Sequence, residues 1–214
     1  MTLTLYIGNK RYSSWSLRGW LAARLTGAPV EERMIWLNRP ETRAALLEAS
    51  PSGRVPVLRH AGRTVWDSFA IGCYLDRQFP AAGLLPREAD ALALALAVTA
   101  EMHAGFQALR NNMSMDLVAR LPGRGHAPGV AEDVARIQAI WSDCRQRFGA
   151  GGPWLFGRQP NLADCFYAPV ATRFRTYGVA LSGAAAAYCE TLLAWPLFRA
   201  WEAAAPAEPA LPGH

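Results

Sequence analysis

The hydrophobic pattern changes its period once, near residue 87. That change limits the chain to a mixed α/β unit followed by an all-helical one. Up to residue 80, short β-prone runs alternate with helical stretches. Leu3–Gly8 is a strand run closed by glycine, and Ser16–Thr26 carries Leu17, Trp20, Leu21 and Leu25 at helical spacing before Gly27 stops it. Val30–Leu37 reads as a second strand, and Pro40 opens a short helix through Leu47. Val55–Leu58 and Thr64–Trp66 flank Ala61-Gly62 as a hairpin, and Ser68–Phe79 is an amphipathic helix closed by Pro80. The order is βαβαββα.

From Arg87 onward no strand pattern appears. Arg87–Leu121 is one long Ala- and Leu-rich helical stretch, with a kink or break expected near Gly105. A loop over Pro122–Gly129 leads to helices at Val130–Phe148, Asn161–Tyr177, Ala184–Leu193 and Pro196–Ala204. The tail, Pro206–His214, is rich in Pro and Ala and is expected to be loosely held. Pro80–Pro86 is uncharged, so the domains fall at 1–80 and 87–214 with a linker over 81–86.

Composition excludes several classes. With 51% hydrophobic and 18% charged residues in 214, the chain is far from disordered composition. The net charge of +5 invites a nucleic-acid reading, but its distribution argues otherwise. Residues 1–86 hold eleven basic and six acidic groups, and residues 87–214 hold eleven of each. A mild, scattered excess in one domain suits a small anionic ligand better than nucleic acid. Ala91–Thr99 is too short to span a membrane and runs into Glu101 and His103. The start lacks a basic n-region and a signal-peptide pattern. Cys73, Cys144, Cys165 and Cys189 form no C-x-x-C and lie in helical apolar patterns. They are expected as buried thiols in a reducing, cytoplasmic setting, with no metal site.

A βαβαββα unit closes compactly as a four-stranded mixed sheet with helices on both faces, the thioredoxin-like arrangement. Three local features converge at one end of such a sheet. Pro56 at the start of a strand is explained by a cis Val55–Pro56 bond, which turns the backbone of Val55 outward to pair with an extended peptide. Tyr12–Arg18 puts the hydroxyls of Ser13 and Ser14 at a helix N-terminus, where an anion such as a thiolate is favoured. Asp67-Ser68, at the start of the third helix, can take an ammonium and a carboxylate. Each serine or aspartate could alone be a helix cap. Together they match a cysteine-containing tripeptide with a γ-glutamyl zwitterion, which is glutathione.

The sequence resembles the glutathione transferase family over nearly its whole length. The first domain is similar to its thioredoxin-like half in Ser13-Ser14-Trp15-Ser16-Leu17-Arg18, Arg54-Val55-Pro56-Val57-Leu58 and Asp67-Ser68-Phe69-Ala70-Ile71. The second resembles its all-helical half, with Asn161-Leu162-Ala163-Asp164 in place of the family's N-capping box. The serine motif is nearest to the zeta class, whose members carry Ser-Ser-Cys-Ser-x-Arg. The resemblance implies Ser13 or Ser14 at the glutathione sulfur, and Arg54, Val55, Pro56, Asp67 and Ser68 along the tripeptide. It also implies a homodimer. Trp15 stands where the zeta pattern has cysteine, and Asp67 where it commonly has glutamine. The first departure counts against maleylacetoacetate isomerisation. Without a cysteine in Tyr12–Arg18, a mixed-disulfide mechanism is excluded.

The second substrate is expected between the first domain and the front of the long helix. There Met102, Phe106 and Arg110 would share one face beside His103. Arg173 and Arg175 lie in the Asn161–Tyr177 helix, and by the resemblance Arg175 would meet a substrate carboxylate. The expected activity is transfer of the glutathione thiolate to a small hydrophobic electrophile. The alternatives are a glutathione-dependent isomerisation, dehalogenation or peroxide reduction, and a binding module without turnover.

Overall fold

A computed structural model describes residues 2–211. Its first part is a four-stranded sheet in the order β2-β1-β3-β4, from β1 (Leu3–Ile7), β2 (Val30–Met34), β3 (Val57–His60) and β4 (Arg63–Trp66). β1 runs parallel to β2 and antiparallel to β3, and β3 pairs antiparallel with β4. Helices α1 (Ser14–Leu25) and α3 (Ser68–Gln78) pack on each other. Leu5, Leu17, Leu21, Leu58, Ile71 and Leu75, all fully buried, belong to the core at this contact. α2 (Thr42–Ala49) closes a small separate core with Ile35, Ala49 and Val57. The Val30–Leu37 run gives a shorter strand: it leaves the sheet after Met34, and Leu37 is held by the Asn9 side chain instead.

The second part is helical: α4 (Ala89–Ala104), α5 (Gln107–Asn112), α6 (Val130–Phe148), α7 (Leu162–Tyr177), α8 (Gly183–Ala194) and α9 (Pro196–Glu202). The long Arg87–Leu121 stretch is not one helix. Gly105 is extended (φ −96°, ψ −165°) and Phe106 is left-handed (φ 60°), so the chain breaks there, resumes as α5, and is irregular after Asn112.

α7 is the axle of the molecule. Fifteen of its sixteen residues are buried, and it packs against α1, α4 and α8. Its start is the expected capping box: the Asn161 side chain accepts from the Ala163 amide, and Asp164 accepts from the Asn161 amide. Asp164 also accepts from the Leu155 amide and the Tyr188 hydroxyl. The two parts meet closely because Gly72 of α3 has no side chain: a Cβ there would lie 2.3 Å from Leu162 Cδ1. Burying Leu162 there contributes about 2 kcal/mol. The linker is equally fixed, since Leu84 O accepts from the Leu162 amide and Asp76 binds both the Leu85 amide and Arg87.

The expectation of a loose tail from Pro206 is overturned as far as Leu211. Glu208 accepts two amide hydrogen bonds from the β1–α1 loop, and the Leu211 amide donates to the Tyr12 hydroxyl. Residues 212–214 of that tail lie outside the described residues.

Candidate functional site

Two helix N-termini open onto one cleft of about 600 Å³ at the end of the sheet. Ser13 caps α1: its Oγ accepts from the Ser16 amide at 3.3 Å and donates to Ser16 Oγ at 2.8 Å. Ser16 Oγ in turn accepts from the Gly8 amide at 2.9 Å. Asp67 caps α3 by accepting from the Phe69 amide at 2.8 Å. Both capping readings therefore hold, and both caps also face the cleft. The third wall is Arg54-Val55-Pro56, with Val55–Pro56 cis. Gly19 of α1 admits this turn, since a Cβ there would stand 2.9 Å from Pro56 Cγ.

Ser68 carries the clearest sign of a missing partner. It is 1% exposed, it lines the cleft, and its Oγ is buried without a hydrogen bond. An orphaned buried hydroxyl costs about 1–3 kcal/mol, so a ligand oxygen or nitrogen at this point is favoured. Beside it the Asp67 carboxylate is half-exposed and can accept an ammonium. The helix N-terminus at Ser68 suits a carboxylate.

The two serines play different parts. Ser13 lines the cleft, whereas Ser14 Oγ accepts from Arg173 Nη2 at 3.3 Å. Arg173 is one of three arginines gathered behind Trp15, which forms part of the cleft wall. The guanidinium carbons of Arg18 and Arg110 each lie 4.6 Å from the Trp15 ring centroid, and Arg18 also lies 4.9 Å from Phe166. Arg18 is 1% exposed, and its Nε and Nη1 have no partner. Arg110 donates to the Met102 and His103 carbonyls at the end of α4, and its Nε is unpartnered. Arg173 donates to the Met113 carbonyl.

Among the described residues none of the three makes an ion pair with a carboxylate. Burial, and then repulsion from Arg110 and Arg173, holds Arg18 well below the ordinary arginine range. Burial, with Arg110 adding to it, brings Arg173 down to about 10. Burial also lowers Arg110. None has a carboxylate within ion-pair reach; at longer range Asp67 draws Arg18 and Asp133 draws Arg110 against the effect of burial.

His103 joins this group from α4. Its Nε2 lies 3.2 Å from Asp67 Oδ2, and its ring stands edge-on to Trp15. Burial lowers its pKa from 6.5, and Arg18 and Arg110 add to this against the pull of Asp67.

The residues expected to hold the second substrate separate. Arg110 reaches the rear of the cleft wall through Trp15. Met102 is fully buried, and Phe106, nearly buried, sits at the helix break. The break removes the helical phase that was to align these three on one face. Arg175 lies elsewhere: it pairs with Glu202 and lines a second cavity of about 680 Å³ between the end of α7, α8 and α9. Residues two apart on a helix point about 200° apart, so Arg173 faces Ser14 while Arg175 faces α9. Arg18 and the His103–Asp67 contact were not singled out from the sequence. The signal for Arg18 was its place amid Leu17 and Leu21 on the buried side of α1, where a charge needs a reason.

Among the described residues there is no group of three or more His, Cys, Asp or Glu that could hold a metal ion. Among the same residues no helix is long and apolar enough to cross a membrane.

Comparison with known proteins agrees with this geometry. Residues 12–78 match the family model described as glutathione S-transferase, N-terminal domain, and residues 127–204 match glutathione S-transferase, C-terminal domain. The chain is 27% identical over 203 residues to a maleylpyruvate isomerase of Ralstonia sp., covering 91% of each chain. It is 30% identical over 173 residues to a probable maleylacetoacetate isomerase of Caenorhabditis elegans, covering 79% of this chain and 77% of that one. Among solved structures it resembles a glutathione transferase homologue from Burkholderia GL BGR1 with bound glutathione. That TM-score is 0.73 at 22% identity, covering 97% of this chain and all of the other. With its mixed four-stranded sheet, its helical second half and both family models matched in order, the chain belongs to the glutathione S-transferase family.

Proposed function

We propose that the protein uses glutathione as co-substrate, with the Ser13 hydroxyl turning from Ser16 Oγ to donate to its sulfur. The observation that carries this reading is the convergence of Ser13 and the orphaned Ser68 hydroxyl on a cleft whose third wall is Val55–Pro56. The γ-glutamyl ammonium goes to Asp67, its carboxylate to Ser68 and the N-terminus of α3, and the cysteinyl backbone to Val55, with Arg54 beside the tripeptide. A free thiol has a pKa of about 8.5. Lowering it by about two units requires about 2.7 kcal/mol of preferential thiolate binding. A charge-assisted hydrogen bond from Ser13 and the N-terminus of α1 supply interactions of that order. The thiol proton leaves to solvent, and the thiolate electron pair forms a bond to the electrophilic carbon.

For the electrophile, two outcomes share this first step. In conjugation the new carbon–sulfur bond is kept, and the displaced electron pair departs with a leaving group or, from a double bond, takes a proton from solvent. In isomerisation the thiolate adds to a carbon–carbon double bond conjugated to a carbonyl, the electron pair moves onto that carbonyl as an enolate, and the carbon–carbon bond rotates. The enolate pair then returns, re-forms the double bond and expels the thiolate. The unpaired charge of Arg18, Arg110 and Arg173 behind Trp15 favours an electrophile that carries a carboxylate. The relatives named as isomerases support the second outcome comparably with the first.

The test is Ser13→Ala, with the thiol pKa of bound glutathione followed by thiolate absorbance. We expect a rise of at least one unit and a fall in kcat/KM of about 10–100-fold, the loss of one charge-assisted hydrogen bond. An unchanged thiol pKa rejects the role of Ser13, and the same change in Ser14→Ala alone would assign it to Ser14. NMR of the products from a conjugated unsaturated acid separates a stable adduct from a cis–trans isomer.

A further inference from the structure

The loop that delivers Ser13 is tied down from the far end of the chain. Residues 8–12 leave β1 and must present Ser13 at the mouth of the cleft with no regular structure of their own. The Asn9 carbonyl accepts from the amides of Tyr12 and Ser13. The backbone polar groups of Lys10 and Arg11, however, are all bonded by residues far away in sequence. The Lys10 amide donates to Glu208 Oε1 at 2.8 Å and the Arg11 amide to Glu208 Oε2 at 3.0 Å. The Lys10 carbonyl accepts from Trp201 Nε1 at 2.8 Å, and the Arg11 carbonyl accepts from the Leu117 amide at 3.2 Å. One step beyond, the Leu211 amide donates to the Tyr12 hydroxyl.

Glu208 is the centre of this arrangement. It is buried, and its two oxygens bridge two consecutive amides, the geometry of an anion seated in a backbone nest. The neighbouring cations are committed to other partners: Lys10 to Glu32 at 2.6 Å, and Arg11 to Asp116 through two bonds. The glutamate therefore holds backbone rather than side-chain charge. A short 3-10 turn at Ala205–Ala207 containing Pro206, with Pro209 after it, fixes the approach of the strap.

We propose that Glu208 is a positioning residue: the strap of residues 205–211 holds the β1–α1 loop so that the Ser13 hydroxyl stays directed at the glutathione sulfur. This rests on the assignment of Ser13 as the sulfur's donor. The other contacts of the tripeptide, at Val55, Asp67 and Ser68, lie on the turn before β3 and at the start of α3, to which Glu208 makes no hydrogen bond. Loosening the strap should therefore weaken thiolate formation and leave glutathione binding nearly intact. A variant that merely weakens the fold would not give that split.

The experiment compares Glu208→Ala and Glu208→Gln with Ser13→Ala and with Ile140→Ala, a cavity variant inside α6. For Glu208→Ala we expect the thiol pKa of bound glutathione to rise by about one unit, which lowers the thiolate fraction, and kcat at pH 6.5, about fivefold. KM for glutathione should stay within about twofold. The deficit in kcat should shrink by pH 8.5, where the thiol ionises unaided. Glu208→Gln keeps one acceptor oxygen and should fall between the two. Ile140→Ala should lower Tm without moving the thiol pKa. If Glu208→Ala fails to fold, Trp201→Phe, which removes the donor to the Lys10 carbonyl together with part of a buried ring packed on Trp20, is read in the same way against the cavity control. Faster amide exchange at Lys10 and Arg11 with an unmoved thiol pKa would overturn the proposal, as would a change confined to KM. If Ser13→Ala itself leaves the thiol pKa unmoved, the failure belongs to the Ser13 assignment, and the strap's role falls with it.

Discussion

The molecule has two cavities of similar size, and they differ in what their charges do. The cleft at the sheet end encloses about 600 Å³ and the cavity between α7, α8 and α9 about 680 Å³. In the second, Arg175 and Arg199 share Glu202, so the cations have a carboxylate already. Around the first, Ser68 Oγ, Arg18 and Arg110 have donors without acceptors, and no carboxylate lies within ion-pair reach of Arg18. Volume does not distinguish a site here, nor does an orphaned donor alone, since Arg175 Nε also lacks an acceptor; cations without a carboxylate do. A buried cation without a partner destabilises the free protein, so its persistence points to an anion that arrives later.

The comparison breaks most sharply at Arg18. Arg18→Met keeps the long apolar stem and removes the charge. With the unpaired charge gone, the free protein should gain about 1 kcal/mol or more and melt several degrees higher. Turnover of a carboxylate-bearing electrophile should fall by about 100-fold, the equivalent of one charged hydrogen bond of about 2.7 kcal/mol. A neutral electrophile of the same shape should be turned over at nearly the original rate. Higher Tm with equal loss on both electrophiles would mean that Arg18 acts on the thiolate instead.

Asp67→Asn tests the other end of the same cleft. Asparagine caps a helix as well as aspartate does, so α3 should keep its stability. The charge for the γ-glutamyl ammonium is lost, and since this carboxylate is half-exposed the cost is taken at the low end of charged hydrogen bonds. KM for glutathione should rise about tenfold with kcat little changed. A fall in kcat without a rise in KM would move the ammonium elsewhere.

These contrasts also show what the sequence could express. The βαβαββα element order and the thioredoxin-like half follow from strand and helix periods, and the α7 start from Asn161-x-x-Asp164, because those signals are local. Gly105 marked a break, but its conformation, with Phe106 left-handed, depends on how α5 packs on α6. Arg173 and Arg175 look equivalent in a list of residues, and only the phase of α7 against α1 decides which one reaches Ser14. Glu208 sits in a Pro- and Ala-rich tail, a composition that predicts looseness. Its partners are almost two hundred residues away, beyond any periodicity. The His103–Asp67 contact joins the two domains and exists only once both are folded, so no local spacing announces it.

The second cavity gives the matching negative. Arg175→Ala leaves Glu202 with Arg199 and should cost about 1 kcal/mol or less. Turnover and KM for glutathione should stay within about twofold on both electrophiles. A selective loss on the carboxylate-bearing electrophile would return Arg175 to the substrate and dissolve the contrast between the cavities.

The smallest effect is a pH dependence that reports the unpaired charge directly. Burial, with Arg18 and Arg110, holds the folded pKa of His103 below its unfolded value near 6.5, with Asp67 pulling the other way. As the pH falls through 6.5 the unfolded chain takes up a proton that the folded one still refuses. Stability attributable to His103 is therefore complete above pH 6.5 and is lost as the pH falls toward the folded pKa. Comparing Tm of the parent and His103→Gln between pH 7.5 and 5.5 isolates this, because other titrating groups act on both. Because His103 is partly exposed, the parent should lose only on the order of 1–2 °C more than the variant. In an Arg18→Met background the difference should shrink, since one of the two repelling cations is gone. If it does not shrink, the charge that His103 senses is not that of Arg18.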